Sequence, residues 1–319
     1  MRGELRSVVA MAVLLVGSQL VALAIAPAFA YNQFQAFPNP NDVSNTLVYI
    51  VAILLFTGLI LALVKYRRQG IARILILASV FITVAFVLIL PIEYFLIWLP
   101  WIIFDVNTFS ALVLVLPFLG AAAVTWILVK YPEWYVVDTV GLTTAAGVTA
   151  ILGISFGILP ALLLLIALAL YDAWAVYHTK HMVTLADEIT SQRLPVLLVI
   201  PKHAGYKFSE QKSLKEQVAK GEEREAMFIG LGDLIIPGLL SVSALTFLGG
   251  AGASLGGMQA NALVAVGTLL GTLGGFSILM RFVLRGNPQA GLPLLNGGAI
   301  AGFFLTHALV YGRLVPPFF

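Results

Sequence analysis

Apolar residues run along this chain in long blocks, each near the ~20 residues that carry a helix across a bilayer. Short polar or Pro/Gly-containing segments separate most of them. Nine blocks are read, at 7–30, 46–64, 71–92, 107–129, 135–157, 159–179, 226–248, 259–284 and 290–312. Backbone groups in lipid have no water to bond, so each block is predicted to be a helix that satisfies its own hydrogen bonds. The short alternating segments of a membrane β-barrel dominate nowhere. One connection is long, from about 180 to 225. The chain therefore divides into a six-span part at 1–179, a loop at 180–225 and a three-span part at 226–319, together one integrated membrane domain.

Composition agrees with this pattern. Of 319 residues, 60% are hydrophobic and only 10% charged, with a mean hydropathy of +1.00. A soluble chain of this length needs far more polar surface, so the class is an all-α, nine-span membrane protein. There is no cysteine. That excludes disulfides, thiolate catalysis and cysteine-built zinc or iron–sulfur sites.

Charge placement sets the orientation. With the N-terminus in the cytoplasm, every one of the 18 Lys and Arg residues except Arg313 falls in an inner segment. This is the asymmetry of the positive-inside rule, and it puts the C-terminus outside and the long loop in the cytoplasm. The protein is expected to be a multi-pass component of the cell membrane. Arg2, Arg6 and Ala28-Phe29-Ala30 around the first block resemble a signal peptide with a small-residue cleavage site. The apolar stretch is longer than a usual signal core, so a retained helix is expected. No convincing internal repeat, such as the inverted repeats of many transporters, is visible.

Acidic side chains inside a bilayer cost about 2.5–3.5 kcal/mol each on insertion. Most of the 15 acids avoid this. Asp42, Glu93 and Asp105 fall in outer loops, Glu133 and Asp138 near the inner interface beside Trp134 and Tyr135, and Glu4 and the acids from Asp187 to Glu225 in inner segments. Only Asp172 and Asp233 stand well inside apolar blocks. Each lies about seven residues from the inner end of its block, roughly 10 Å deep at 1.5 Å per residue. The two blocks are consecutive and antiparallel, so the acids can face each other. Gly230 and Gly232 remove bulk just before Asp233, which favours close helix packing. Pro237 lacks the N–H that would bond the Asp233 carbonyl, which loosens the backbone there.

Paired carboxyls suit peptide hydrolysis. Two of them a few Å apart do not both ionise easily, so one stays protonated while the other acts as base. The base takes a proton from water and the acid polarises the scissile carbonyl. No metal, serine or cysteine is required. The pair titrates as a unit, so neither role is assigned to one residue.

Tyr171-Asp172 and Gly230-Leu231-Gly232-Asp233 resemble the YD and GxGD motifs of the presenilin and signal peptide peptidase family. The nine spans and the long cytoplasmic loop before GxGD are similar too, over nearly the whole chain. The run from Gly230 to Gly238 looks most like the signal peptide peptidase branch. The brief loops suggest an archaeal-type homologue. The resemblance implies an intramembrane aspartic endopeptidase with Asp172 and Asp233 as catalytic pair and no cofactor. Its substrates would be transmembrane helices of membrane proteins or signal peptides. Tyr171, Gly230, Leu231 and Gly232 would position substrate. A third family motif, Pro-Ala-Leu, corresponds to Ala290-Gly291-Leu292-Pro293, where Ala290 replaces the leading proline. That loop is expected to border the dyad.

Other features carry less. Gly267, Gly271 and Gly275 share one helix face and read as a packing surface. His178 and His181 lie where the sixth span leaves the membrane, without enough partners for a metal. His307 is expected to be hydrogen-bonded inside the bundle or near the outer interface. Lys and Glu are interspersed from 210 to 225, as in a solvated linker. Val196-Leu197-Leu198-Val199-Ile200, between Pro195 and Pro201, is either a strand near the site or an apolar patch on the membrane surface. The partners implied are the bilayer and transmembrane substrates, with no nucleic acid. A proton-coupled transporter would also pair intramembrane acids, but would not need GxGD preceded by YD. Prepilin peptidases use intramembrane aspartates, many with a cysteine-rich zinc segment that a cysteine-free chain lacks.

Overall fold

The structure is a computed structural model that describes residues 2–99, 105–179, 197–203, 205–206, 208, 225–250, 254, 257–285, 289–314 and 316. His181, Pro195, Val196 and the charged stretch 210–224 lie outside the described residues. The helices are α1 (Arg2–Tyr31), α2 (Ser44–Lys65), α3 (Gln69–Trp98), α4 (Val106–Lys130), α5 (Trp134–Ser155) and α6 (Ile158–Trp174). A π-helical turn, Ala175–Thr179, continues α6. Then come strands β1 (Leu197–Pro201) and β2 (Ala226–Gly230), and helices α7 (Leu231–Phe247), α8 (Ala260–Val283) and α9 (Gly291–Tyr311). Among the described residues eight helices are long and apolar enough to cross a membrane, and α7, at 17 residues, is shorter.

Two expectations are corrected. The block at 226–248 opens as a strand, because Ala226–Gly230 pairs antiparallel with β1, Leu197 opposite Gly230 through Pro201 opposite Ala226. Its backbone is satisfied across the hairpin instead of along a helix. Glu93 is not in an outer loop but within α3, which runs through Pro91 to Trp98. A proline removes one ladder hydrogen bond, a loss membrane helices tolerate.

Helix α7 is the axis of the bundle, buried at nearly every position from Ile236 to Ala244. Around it stand α1, α5, α6, α8 and α9. Helix α1 contributes Ala22, Ala26 and Phe29 to a core shared with Ile154 of α5 and Val242 of α7. By contrast, α2 and α4 are peripheral and present Leu47, Leu55, Leu114 and Leu119 outward, as lipid-facing surfaces do. Helices α8 and α9 meet backbone to backbone. A Cβ on Gly271 would strike the Gly298 carbonyl and stand 2.8 Å from Gly302 Cα. The stripe through Gly267, Gly271 and Gly275 is thus a packing face, as expected.

Polar contacts tie both ends. At one end, Ser155 Oγ accepts from the Ala36 N–H at 2.7 Å, Pro40 O accepts from the Gly157 N–H at 2.8 Å, and the Thr46 hydroxyl donates to Pro160 O at 2.9 Å. Asp105 caps α4 by accepting from Asn107 and Thr108, and its Thr108 hydrogen bonds hold its carboxyl below the usual carboxylate value. His307 Nδ1 lies 2.8 Å from Arg313 O, its ring stacked with Phe303 and Tyr311. At the other end the hairpin sits on the starts of α1 and α5. The Ser7 hydroxyl donates to Pro201 O at 3.4 Å, and Lys202 Nζ is 3.9 Å from Glu4.

Candidate active site

Asp172 lies near the end of α6, only 6% exposed. Just beyond it the Ala175 N–H is shared between the carbonyls of Tyr171 and Asp172, and the helix then widens into the π turn. Such turns recur where a helix must present a functional side chain. Asp233 arrives differently. Strand β2 passes without a linker into α7, with Gly230 as N-cap and Asp233 in the first turn. Span counting had put Asp233 two turns into a helix; it is at the very start of one, because β2 takes the preceding five residues. Both carboxyl groups border the loop that opens α9.

The loop before α9 joins them. The Leu292 N–H donates to Asp172 Oδ2 at 3.0 Å. One residue earlier, a Cβ on Gly291 would stand 3.0 Å from Asp233 Oδ1 and 3.3 Å from Oδ2. Successive residues therefore border the two acids, and a Cβ at 291 would oblige the Asp233 carboxyl to give by a few tenths of an ångström. Ala290 is the buried N-cap of α9. Pro293 is turned away and lines a groove between α8 and α9. Tyr171 is half-buried with its ring 6.4 Å from that of Trp174. Leu231 packs on α5, where a Cβ on Gly141 would meet its Cδ2 at 3.3 Å.

The glycines before Asp233 play another part than close packing. A Cβ on Gly230 would meet only Asp233 itself, at 3.4 Å, and one on Gly232 nothing within 4 Å. They leave open space beside the acid rather than bringing a helix against it.

One supporting residue escaped the sequence reading. Asp138, taken for an interfacial acid, is buried, and its Oδ1 accepts from the Val199 N–H at 2.7 Å. Glu133 Oε2 accepts from the Phe208 N–H at 3.2 Å. Tyr206 is buried in the same seat. Burial pushes its hydroxyl above the usual value, and the carboxylates of Glu225, Glu133 and Asp138 add to the shift. The available signal was that Asp138 has no Lys or Arg within four residues on its helix.

This anchor decides which strand edge is open. Val199 points its N–H at α5, and Lys202 N bonds Glu225 O at 2.9 Å. Backbone groups alternate sides along a strand, so Leu198 and Ile200 face β2 while Ala226, Phe228 and Gly230 turn theirs outward. Helices α5 and α1 pack against β1, and among the described residues no element but β1 and the continuing α7 packs extensively against β2. Asp138→Ala should leave the Val199 N–H without an acceptor, at a cost of about 1–3 kcal/mol. Amide exchange over 197–201 should speed up, whereas Asp138→Asn, which keeps an acceptor, should stay protected. Equal protection in the two variants would refute the anchor.

The family model described as signal-peptide peptidase, presenilin aspartyl protease matches residues 11–312. The chain belongs to this family. Two solved structures, each described as a presenilin family intramembrane aspartate protease, are similar to it. The one in space group C222 is 33% identical, covers 95% of this chain and 99% of that one, and superposes with a TM-score of 0.62. The one in space group P2 is 32% identical, covers 92% and 96%, and has a TM-score of 0.60. No curated protein matches the chain. This presenilin-family protein is thus an intramembrane aspartyl protease, an aspartic endopeptidase, carried by a multi-pass helical bundle. His178 is exposed in the π turn, and among the described residues no cluster of three or more His, Asp or Glu side chains could hold a metal.

Proposed function

We propose that Asp172 and Asp233 form the catalytic pair and hydrolyse a transmembrane segment that has unwound and added itself as a strand to the outer edge of β2. One observation carries this reading. The open edge of β2 ends at Gly230, three residues from Asp233, and at that point Gly291 and Leu292 touch both acids. A helix hides its backbone carbonyls, so a substrate must extend before it reacts, and an open strand edge holds an extended peptide by main-chain hydrogen bonds. Of the two readings left open for the apolar run before Pro201, the described part is a strand, but α5 covers its outer side, so β2 takes the role. The space beside Gly232 admits the substrate backbone. The six-span part supplies Asp172 and the three-span part Asp233.

The chemistry needs only water. The ionised carboxyl of the pair removes a proton from water while the protonated one donates to the scissile carbonyl oxygen. The hydroxide so formed adds to the carbonyl carbon and gives a tetrahedral diol. The C–N bond then breaks, its electron pair stays on nitrogen, and a carboxyl proton passes to the leaving amine. The carboxylate left after the first step takes a proton from a diol hydroxyl, so the products are a carboxylic acid and an amine, and the pair again holds one proton. Substrates are membrane proteins or signal peptides whose spans enter from the bilayer of the cell membrane.

The test uses the purified protein in bilayers with single-span substrates. Wild type should cleave within or near the span. Phe228→Pro, which removes an outward N–H without touching the β1 pairing, should slow cleavage about tenfold or more, whereas Phe228→Leu should not. Absence of cleavage across several substrates, or a fully active Phe228→Pro, would overturn the proposal.

A further inference from the structure

A cavity of roughly 700 Å³ lies at the hairpin end, between the start of α1, the start of α5 and β1, away from the two acids. That volume is in the range of small-molecule sites. Its lining is divided. Arg6, Lys202 and His203 supply basic and polar groups, while Val13, Leu14 and Leu142 supply apolar wall. Trp134 and Tyr135 border it, residue types that sit at the headgroup level of a bilayer. Val13 is 63% exposed and Tyr135 55% exposed, so the cavity opens sideways to the surface where lipid chains lie. Glu4 is 3.9 Å from Lys202, and Asp138 in the wall is engaged by Val199.

We infer that this cavity binds one anionic phospholipid, with Arg6 and Lys202 taking the phosphate and an acyl chain lying along Val13 and Leu142. Only an occupant with an anionic head and an apolar tail matches both halves of the lining. Basic pockets between membrane helices on the Lys/Arg-rich side bind such headgroups. The occupant would meet β1 at Val199, Ile200 and Pro201 and so brace the hairpin that leads into Asp233. Cleavage should therefore run faster in anionic bilayers, and Glu4→Gln, which removes the competitor for Lys202, should strengthen lipid retention.

The experiment reads lipid retention by native mass spectrometry of the full chain, released from nanodiscs of equal parts phosphatidylglycerol and phosphatidylcholine. Wild type should retain one phosphatidylglycerol. Arg6→Gln combined with Lys202→Gln should retain about tenfold less, with an unchanged melting temperature. Val13→Trp, which fills the wall at an exposed position, should also weaken retention without altering charge. Equal retention of the two lipids by wild type, or undiminished phosphatidylglycerol on the double variant, would overturn the inference. So would displacement by millimolar glycerol phosphate or inorganic phosphate, which would mark a site for a free phosphate. A cleavage comparison in the same nanodiscs rests on the proposed protease mechanism; retention does not, so the two can fail separately.

Discussion

Asp172→Asn and Asp233→Asn should each abolish cleavage of a single-span substrate, by about 10⁴-fold or more, and the double variant should be no worse than either single one. General acid–base catalysis by one group contributes roughly 10²–10⁴-fold. In the proposed mechanism each carboxyl serves both halves of the reaction, and groups that act as a unit lose most of their effect with the first deletion. Asparagine matches aspartate in shape and keeps an oxygen that can accept from the Leu292 N–H now bonded to Asp172. It also removes a charge from an apolar setting. The variants should therefore melt at or above the wild-type temperature. That separates lost chemistry from lost fold. A single variant that cleaves at more than about a tenth of the wild-type rate would end the two-acid mechanism.

The second large effect is expected at a residue whose added Cβ would meet the backbone of α9 rather than either carboxyl. Gly274 and Gly275 are neighbours on α8 with opposite surroundings. A Cβ on Gly275 would strike the Leu294 carbonyl oxygen and stand 2.9 Å from its carbon, whereas one on Gly274 meets nothing within 4 Å. Gly275→Ala must push α9 away from α8, because backbone cannot swing aside as a side chain can. Overpacking of this kind costs about 1–3 kcal/mol. It also moves Leu292, two residues before Leu294, off Asp172. A misplacement near 1 Å at a catalytic group can cost about 10²-fold in rate. Gly274→Ala should instead be neutral or stabilising by up to about 1 kcal/mol, since alanine is the better helix former. Thermal unfolding and cleavage measured side by side decide the matter. Similar behaviour of the two variants would show that the glycine contact does not set the loop.

Much of this was readable beforehand. Eight apolar blocks became spanning helices because a backbone in lipid has few other ways to pair its hydrogen bonds. Asp172 and Asp233 stood out because nothing near them on their helices could offset a buried charge. The start of α7 was misread because Ala226-Met227-Phe228-Ile229-Gly230 is as apolar as the helix it enters, and periodicity does not separate a short buried strand from a helix. What makes it a strand is β1, separated from it by the long loop. The part Asp138 plays was likewise set by a distant segment. Its acceptor role depends on the Val199 N–H, and nothing local to α5 announces that partner. The Gly291 contact with Asp233 was legible only as a weak likeness to a motif, since it arises where α9 begins rather than from any pattern along the chain.

The junction at Gly230 has a kinetic meaning. With no residues between strand and helix, there is no slack to absorb a mismatch. A peptide docked one step out of register on β2 would shift the strand and carry Asp233 with it. In the proposed docking, capture of the peptide on β2 and its alignment with Asp233 would then be a single event.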